Sequence, residues 1–174
     1  MRKLLIGLAL ASVAVPASSA LSVGSKAPDF TTTGALAGKA FKLHLAEQLK
    51  HGPVVLYFFP KAFTKGCTLE AHAFSEAAKD FRKAGARVIG MSADDLPTLK
   101  RFSVEECRNA FPVATATKPI IKAYDVALPL VGMTNRTSYV IAPGGRIVMV
   151  HSDLDWKDHV AKTLAAVRAL KVKG

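Results

Sequence analysis

Cysteine is nearly absent from this 174-residue chain, which holds only Cys67 and Cys107. Two thiols so far apart exclude a disulfide-stapled scaffold, and without a Cys-x-x-Cys pair they exclude a zinc site of the paired-cysteine kind. The five histidines do not make up the deficit. His72 follows Cys67 at a spacing that would point the two side chains about 140° apart on one helix, and His44, His51, His151 and His159 have no partner at ligand spacing. All are assigned to surface or supporting positions, and no metal or cofactor is expected. Acidic residues are also few: 13 Asp and Glu stand against 24 Lys and Arg, for a formal net charge of +11. The basic residues are dispersed, with no arginine-rich tract and no basic-aromatic repeat, so the charge reads as a solvated surface and excludes nucleic acid as a partner. No internal repeat or low-complexity linker divides the chain.

What is present begins with residues 1–20, MRKLLIGLALASVAVPASSA. Arg2 and Lys3 precede an apolar run from Leu4 to Val15, too short for the roughly 20 residues of a membrane span. Pro16 and small residues then lead to Ala20, the pattern of a secretory signal peptide cleaved after Ala20. An uncleaved anchor and a buried helix are the weaker alternatives. The expected product is a single exported, periplasmic domain, residues 21–174, large enough for its own core and without stable membrane association once the leader is gone.

Along that domain strands alternate with helices, which predicts an α/β fold on a mixed sheet. A short β segment is expected around Phe41 to Leu43. Val54 to Phe59 is a continuous apolar run, as in a strand buried on both faces. Cys67 to Lys83 reads as a helix with Leu69, Ala73, Phe74, Ala77 and Phe81 inward, ended by Gly85. Arg87 to Met91 is a second buried strand, and Asp95 to Asn109 a second helix with Leu96, Leu99 and Phe102 on one stripe. Phe111 to Thr115 is a short strand, Lys118 to Tyr124 a brief helix, and Pro129 and Gly132 mark a loop. Thr137 to Ile141 and Arg146 to His151 flank the turn Pro143-Gly144-Gly145 as a hairpin. Asp155 is the expected N-cap of a last helix carrying Val160, Leu164, Val167 and Leu170.

The chemistry concentrates in Val54 to Phe74, VVLYFFPKAFTKGCTLEAHAF, where a strand ends at Pro60 and Cys67 opens a helix. A thiol is an effective nucleophile only as the thiolate, and a free cysteine near pKa ~8.5 is only slightly ionised at neutral pH. The first turn of a helix favours negative charge through its unpaired N–H groups and the peptide dipole. Gly66 is read as permitting a tight turn, and Thr64 and Thr68 as hydroxyls close to the sulfur.

Pro60, Thr64 and Cys67 match the Pro-x-x-x-Thr-x-x-Cys signature of the peroxiredoxins. The resemblance extends over most of the domain, from VGSKAPDF to TNRTSYVIAPGGRIVMVHSDL, and is nearest the bacterioferritin-comigratory, or Q-type, branch of these antioxidant enzymes. It implies a thioredoxin-like fold with an insertion, helices flanking a central mixed sheet. It further implies a thiol peroxidase in which Cys67 attacks a hydroperoxide and becomes a sulfenic acid, Thr64 and Arg136 stabilise the transferring oxygens, and Pro60 shields the pocket. Hydrogen peroxide and organic hydroperoxides are the implied substrates, an external thiol or thioredoxin-like protein the implied reductant, and a monomer the implied state. Glu70 either holds Arg136 in place or stabilises the helix N-terminus.

This sequence departs from the branch at two points. Lys65 replaces a common proline, adding positive potential or simply facing solvent. His72 stands where many members carry a second, resolving cysteine, which leaves Cys107. Three readings of Cys107 stay open: a resolver forming a disulfide with Cys67 after local unwinding, a bystander in a one-cysteine cycle closed by an outside thiol, or half of a structural bridge. Its position off the Leu96–Phe102 stripe predicts an accessible thiol. Two other functions compete with the peroxidase. Thiol–disulfide exchange is disfavoured by the missing Cys-x-x-Cys pair, and a non-enzymatic redox sensor would be oxidised without turnover.

Overall fold

The computed structural model describes residues 20–171, Lys171 by its backbone alone. The expected leader lies outside the described residues except for Ala20. Nine strands and five helices follow: β1 Thr31–Leu36, β2 Lys39–His44, α1 Leu45–Leu49, β3 Val54–Phe58, α2 Lys65–Lys83, β4 Arg87–Ser92, α3 Leu96–Glu105, β5 Val113–Thr115, α4 Lys118–Ala123, β6 Ala127–Leu128, β7 Met133–Thr134, β8 Thr137–Ile141, β9 Ile147–Ser152 and α5 His159–Lys171. The main sheet has the order β2-β1-β5-β4-β3-β8-β9, and β6 and β7 form a small ladder of their own. β3, β4 and β5 are parallel, as strands joined by crossover helices must be, while the hairpins β1–β2 and β8–β9 add antiparallel strands at either side.

Alternation along the central strands divides the core in two. Val55, Tyr57, Val88 and Val140 face α2, α3 and α5, where Phe74, Phe81, Phe102 and Val167 meet them. Leu56, Phe58, Ile89 and Tyr139 face the other way, onto Leu45, Ile120 and Tyr124. Every residue of β3 is buried, which is why its sequence is apolar throughout. No helix among the described residues is long and apolar enough to cross a membrane.

The structure corrects several sequence expectations. α2 starts at Lys65, so Cys67 lies inside its first turn; its buried face is Glu70, Ala71, Phe74, Ala78 and Phe81, and Leu69 is exposed. α3 stops at Glu105, short of the expected Asn109, because the backbone leaves the helix and passes through left-handed conformations at Arg108 and Asn109. Asp155 does not cap α5. It accepts from the Lys157 amide at 3.3 Å in a turn that precedes the helix.

Candidate active site

The strand β3 drives the chain to the upper edge of the sheet, and residues 59–64 turn it back into α2. This turn is pinned at three points. Phe59 donates its amide to Met91 O at 2.9 Å, the Ala62 amide donates to Asp94 Oδ2 at 2.8 Å, and Thr134 Oγ1 donates to Phe59 O at 2.7 Å. Phe63 sits at φ +63°, a left-handed conformation that costs a bulky residue roughly 1–2 kcal/mol. Contacts from α3 hold it there: its ring meets Phe102 edge-on at 5.3 Å, and the Arg101 guanidinium lies 5.0 Å from the ring centroid.

Thr64 takes the N-cap backbone position, with no side-chain cap bond, and its carbonyl receives the Thr68 amide at 2.9 Å. Its hydroxyl donates to Lys61 O at 2.9 Å, so its lone pairs remain to accept a further hydrogen bond. Neither Thr64 nor Thr68 is hydrogen-bonded to the cysteine sulfur. Pro60 is half-buried at the start of the turn.

Cys67 is 1% exposed and lies in the first turn of α2, where backbone N–H groups have no acceptor within the helix. Arg136, between β7 and β8, brings a permanent cation to it: Nη2 donates to Cys67 Sγ at 3.5 Å. The same guanidinium donates through Nε to Leu154 O at 2.8 Å and through Nη1 to Glu70 Oε2. Held on three sides, its orientation is fixed. Gly66 makes this approach possible. A β-carbon there would meet Arg136 Nη2 at 3.2 Å and Trp156 at 4.0 Å, so the glycine leaves space within a helix and does not form the tight turn expected.

Glu70 completes the pair and sets the electrostatics. Burial pushes its carboxyl up to about 8 against the pull of Arg136. Burial works against the charge on Arg136 too, but Glu70 and the Cys67 sulfur outweigh it and hold the guanidinium above its ordinary value. One buried cation thus faces both the Cys67 sulfur and the Glu70 carboxyl. Glu70 Oε1 has no hydrogen-bond partner, and His159 Nδ1 lies 3.8 Å away. Burial lowers His159 to about 4, so it is neutral at physiological pH. Its Nε2 faces the Asp153 carbonyl at 3.0 Å, which can only accept; Nδ1 is therefore the acceptor for the Ser138 hydroxyl at 2.8 Å.

Cys107 does not join this group. It is fully buried, and burial, aided by Glu106, raises its thiol far above the ordinary range. The expected accessible thiol is thus corrected, because the turn after Glu105 carries the side chain inward. Both cysteines are free thiols. The segment around Cys107 is strapped to α2 on both sides: His72 Nε2 lies 2.7 Å from Glu106 Oε2, and Arg108 Nη1 lies 3.4 Å from Glu76 Oε1.

Asp94, Leu154, Trp156 and His159 contribute to the site without having been singled out from sequence. Leu154 acts through a backbone carbonyl, which no side-chain pattern marks. His159 appears in the sequence only as one histidine among several, and Asp94 and Trp156 belong to no recognisable spacing.

A buried thiol at a strand–helix junction, on a sheet of parallel strands flanked by hairpins, defines a thioredoxin-like thiol enzyme. Residues 23–150 match the AhpC/TSA family. The chain is 32% identical over 152 residues to a putative chloroplastic peroxiredoxin Q of Oryza sativa subsp. indica, covering 86% of this chain and 68% of the relative. Its structure is similar to that of peroxidoxin BcpB from Mycobacterium tuberculosis, with a TM-score of 0.77 and 31% identity over 85% of this chain and 97% of the other. Peroxiredoxin Q from Xanthomonas campestris gives a TM-score of 0.69 and 27% identity over 79% and 89%. The chain belongs to the AhpC/TSA family, the peroxiredoxins, on its Q-type side. It is a thiol-dependent peroxidase.

Proposed function

We propose that Cys67 is the peroxidatic residue and that hydrogen peroxide and organic hydroperoxides are its substrates. The observation that carries this reading is the 3.5 Å contact from Arg136 Nη2 to Cys67 Sγ in the first turn of α2. The thiolate attacks one peroxide oxygen in line with the O–O bond. An S–O bond forms, the O–O bond breaks, and the electron pair leaves with the second oxygen, which takes up a proton and departs as water or alcohol. Sulfur is oxidised to the sulfenic acid as the peroxide is reduced. Arg136 stabilises the thiolate and the charge shifting onto the oxygens. Thr64, its own proton engaged by Lys61, accepts from the peroxide O–H, and Pro60 limits water around the sulfur.

An external thiol, such as that of a thioredoxin-like protein, then attacks the sulfenic sulfur. Water leaves, a mixed disulfide forms, and a second thiol of the reductant restores Cys67. Full burial of Cys107 supports this one-cysteine route in preference to a disulfide with Cys107. The leader supports export to the periplasm, where the mature domain works as a monomer; N-terminal sequencing of the exported protein should begin at Leu21, and its elution volume should match one chain.

The decisive experiment is the intact mass of reduced protein after one equivalent of hydrogen peroxide, with fragments mapped. Oxygen addition confined to Cys67 is expected, and loss of two hydrogens with Cys67 joined to Cys107 would overturn the one-cysteine route. Replacing Arg136 by Met should slow oxidation of Cys67 at least a hundredfold, the scale of losing a transition-state donor. An unchanged second-order rate in stopped flow would remove Arg136 from the mechanism.

A further inference from the structure

Far from the thiol, at the opposite end of α2, the structure contains a hollow of about 480 Å³ that the peroxidase chemistry does not use. Its volume falls within the roughly 300–1,000 Å³ of small-molecule pockets. Its floor is apolar, formed by Phe41, Phe81, Val88 and Phe111 beneath the starts of β4 and β5. At its edge the chain turns tightly: Gly85 has φ +80°, and a β-carbon on Gly52 would stand 2.2 Å from Gly85 O, so the two turns pack backbone against backbone.

The lining contains no Asp or Glu, but it does contain His51, Arg82 and Arg87. Arg87 Nη1 donates to a neutral partner, Gln48 Oε1, at 3.1 Å. Arg82 has no ion pair among the described residues, and Glu47 is the acid that acts on His51. The acids on the adjoining helices are engaged elsewhere, Glu47 with Lys50 at 2.7 Å and Asp80 facing Arg168 at 3.9 Å. An apolar hollow open to water beside two arginines without a carboxylate partner is complementary to one kind of molecule, a chain or ring of carbon ending in an anion.

We propose that this hollow is a binding site for amphipathic carboxylates, with the hydrocarbon on the phenylalanine floor and the carboxylate between Arg82 and Arg87. The apolar leader is a poor occupant, since Arg2 and Lys3 would bring like charge to the rim. The site is separate from Cys67 and stands or falls independently of the peroxidase reading.

The test is titration of the full chain, isotope-labelled for NMR, with dodecanoate below its micellar concentration, and with dodecyltrimethylammonium as the same tail bearing the opposite charge. Saturable binding of dodecanoate is expected, with amide shifts centred on residues 78–89 and 110–112 and at least tenfold weaker binding of the cation. The double substitution Arg82→Glu and Arg87→Glu should weaken dodecanoate at least tenfold while leaving the rate of Cys67 oxidation unchanged. No saturable binding, equal binding of the two probes, shifts centred on Cys67, or full affinity in the folded, peroxide-reactive double variant would each overturn the proposal.

Discussion

A β-carbon at position 66 would stand 3.2 Å from Arg136 Nη2, and this distance separates two effects that normally act together. Glycine to alanine inside a helix ordinarily gains roughly 0.5–1 kcal/mol. Here the methyl group must push aside a guanidinium already held by Leu154 O and Glu70. Gly66→Ala should therefore leave the melting temperature unchanged or slightly higher while slowing peroxide oxidation of Cys67 at least fivefold. A variant that keeps the native rate would show that Arg136 has room to spare. No motif reveals this role from sequence, where a glycine before the cysteine reads as a turn residue. Cys67 could be singled out because Pro60 and Thr64 stand at a fixed spacing before it, and the resemblance carried by TNRTSYV pointed to Arg136, whose Nη2 the structure places 3.5 Å from Cys67 Sγ.

At the scale of elements, the strap between α2 and the segment after α3 decides whether Cys107 can react. His72–Glu106 and Glu76–Arg108 are partly exposed pairs, each worth at most about 1 kcal/mol. Losing both raises the population of a locally opened segment by roughly tenfold. Combining Glu106→Gln with Arg108→Ala should accelerate maleimide labelling of Cys107 in the folded reduced protein by about that factor. An unchanged labelling rate would mean that core packing alone seals the thiol. Elements with long or dense patterns were readable: β3, β4, α2 and the β8–β9 hairpin follow directly from burial and turn chemistry. β1 was not, because TTTGAL lacks clear alternation and its Gly34 is required by a close approach, a β-carbon there falling 2.9 Å from Val113 O. The inward turn of Cys107 was equally hidden, since it depends on left-handed backbone at Arg108 and Asn109, neither of them glycine.

For the whole molecule, the buried site couples folding to pH from both sides. Glu70 moves from its ordinary 4.5 to about 8 in the folded protein. Between those values the native state keeps a proton that the unfolded chain has lost, so stability falls as pH rises. His159 moves from 6.5 to about 4. The unfolded chain then binds the extra proton, and stability falls as pH drops through that window. The two effects oppose each other between pH 4.5 and 6.5, which sets the optimum of this cluster in mildly acidic solution. Glu70→Gln removes the first effect, so its stability relative to the parent should improve by about 1–3 kcal/mol between pH 5 and pH 8 in urea unfolding. A difference that is flat or declines with pH would contradict the raised carboxyl. The seven-stranded sheet is flanked by β2 and β9, and the start of β9 is covered where Gly24 and Ser25 hydrogen-bond to Ile147. On β2, Lys39 and Lys42 are exposed, and two copies zipping together along that strand would bring lysines against lysines. An outer strand that repels its own duplicate deters runaway sheet-to-sheet aggregation, a safeguard built into a surface that takes no part in the chemistry.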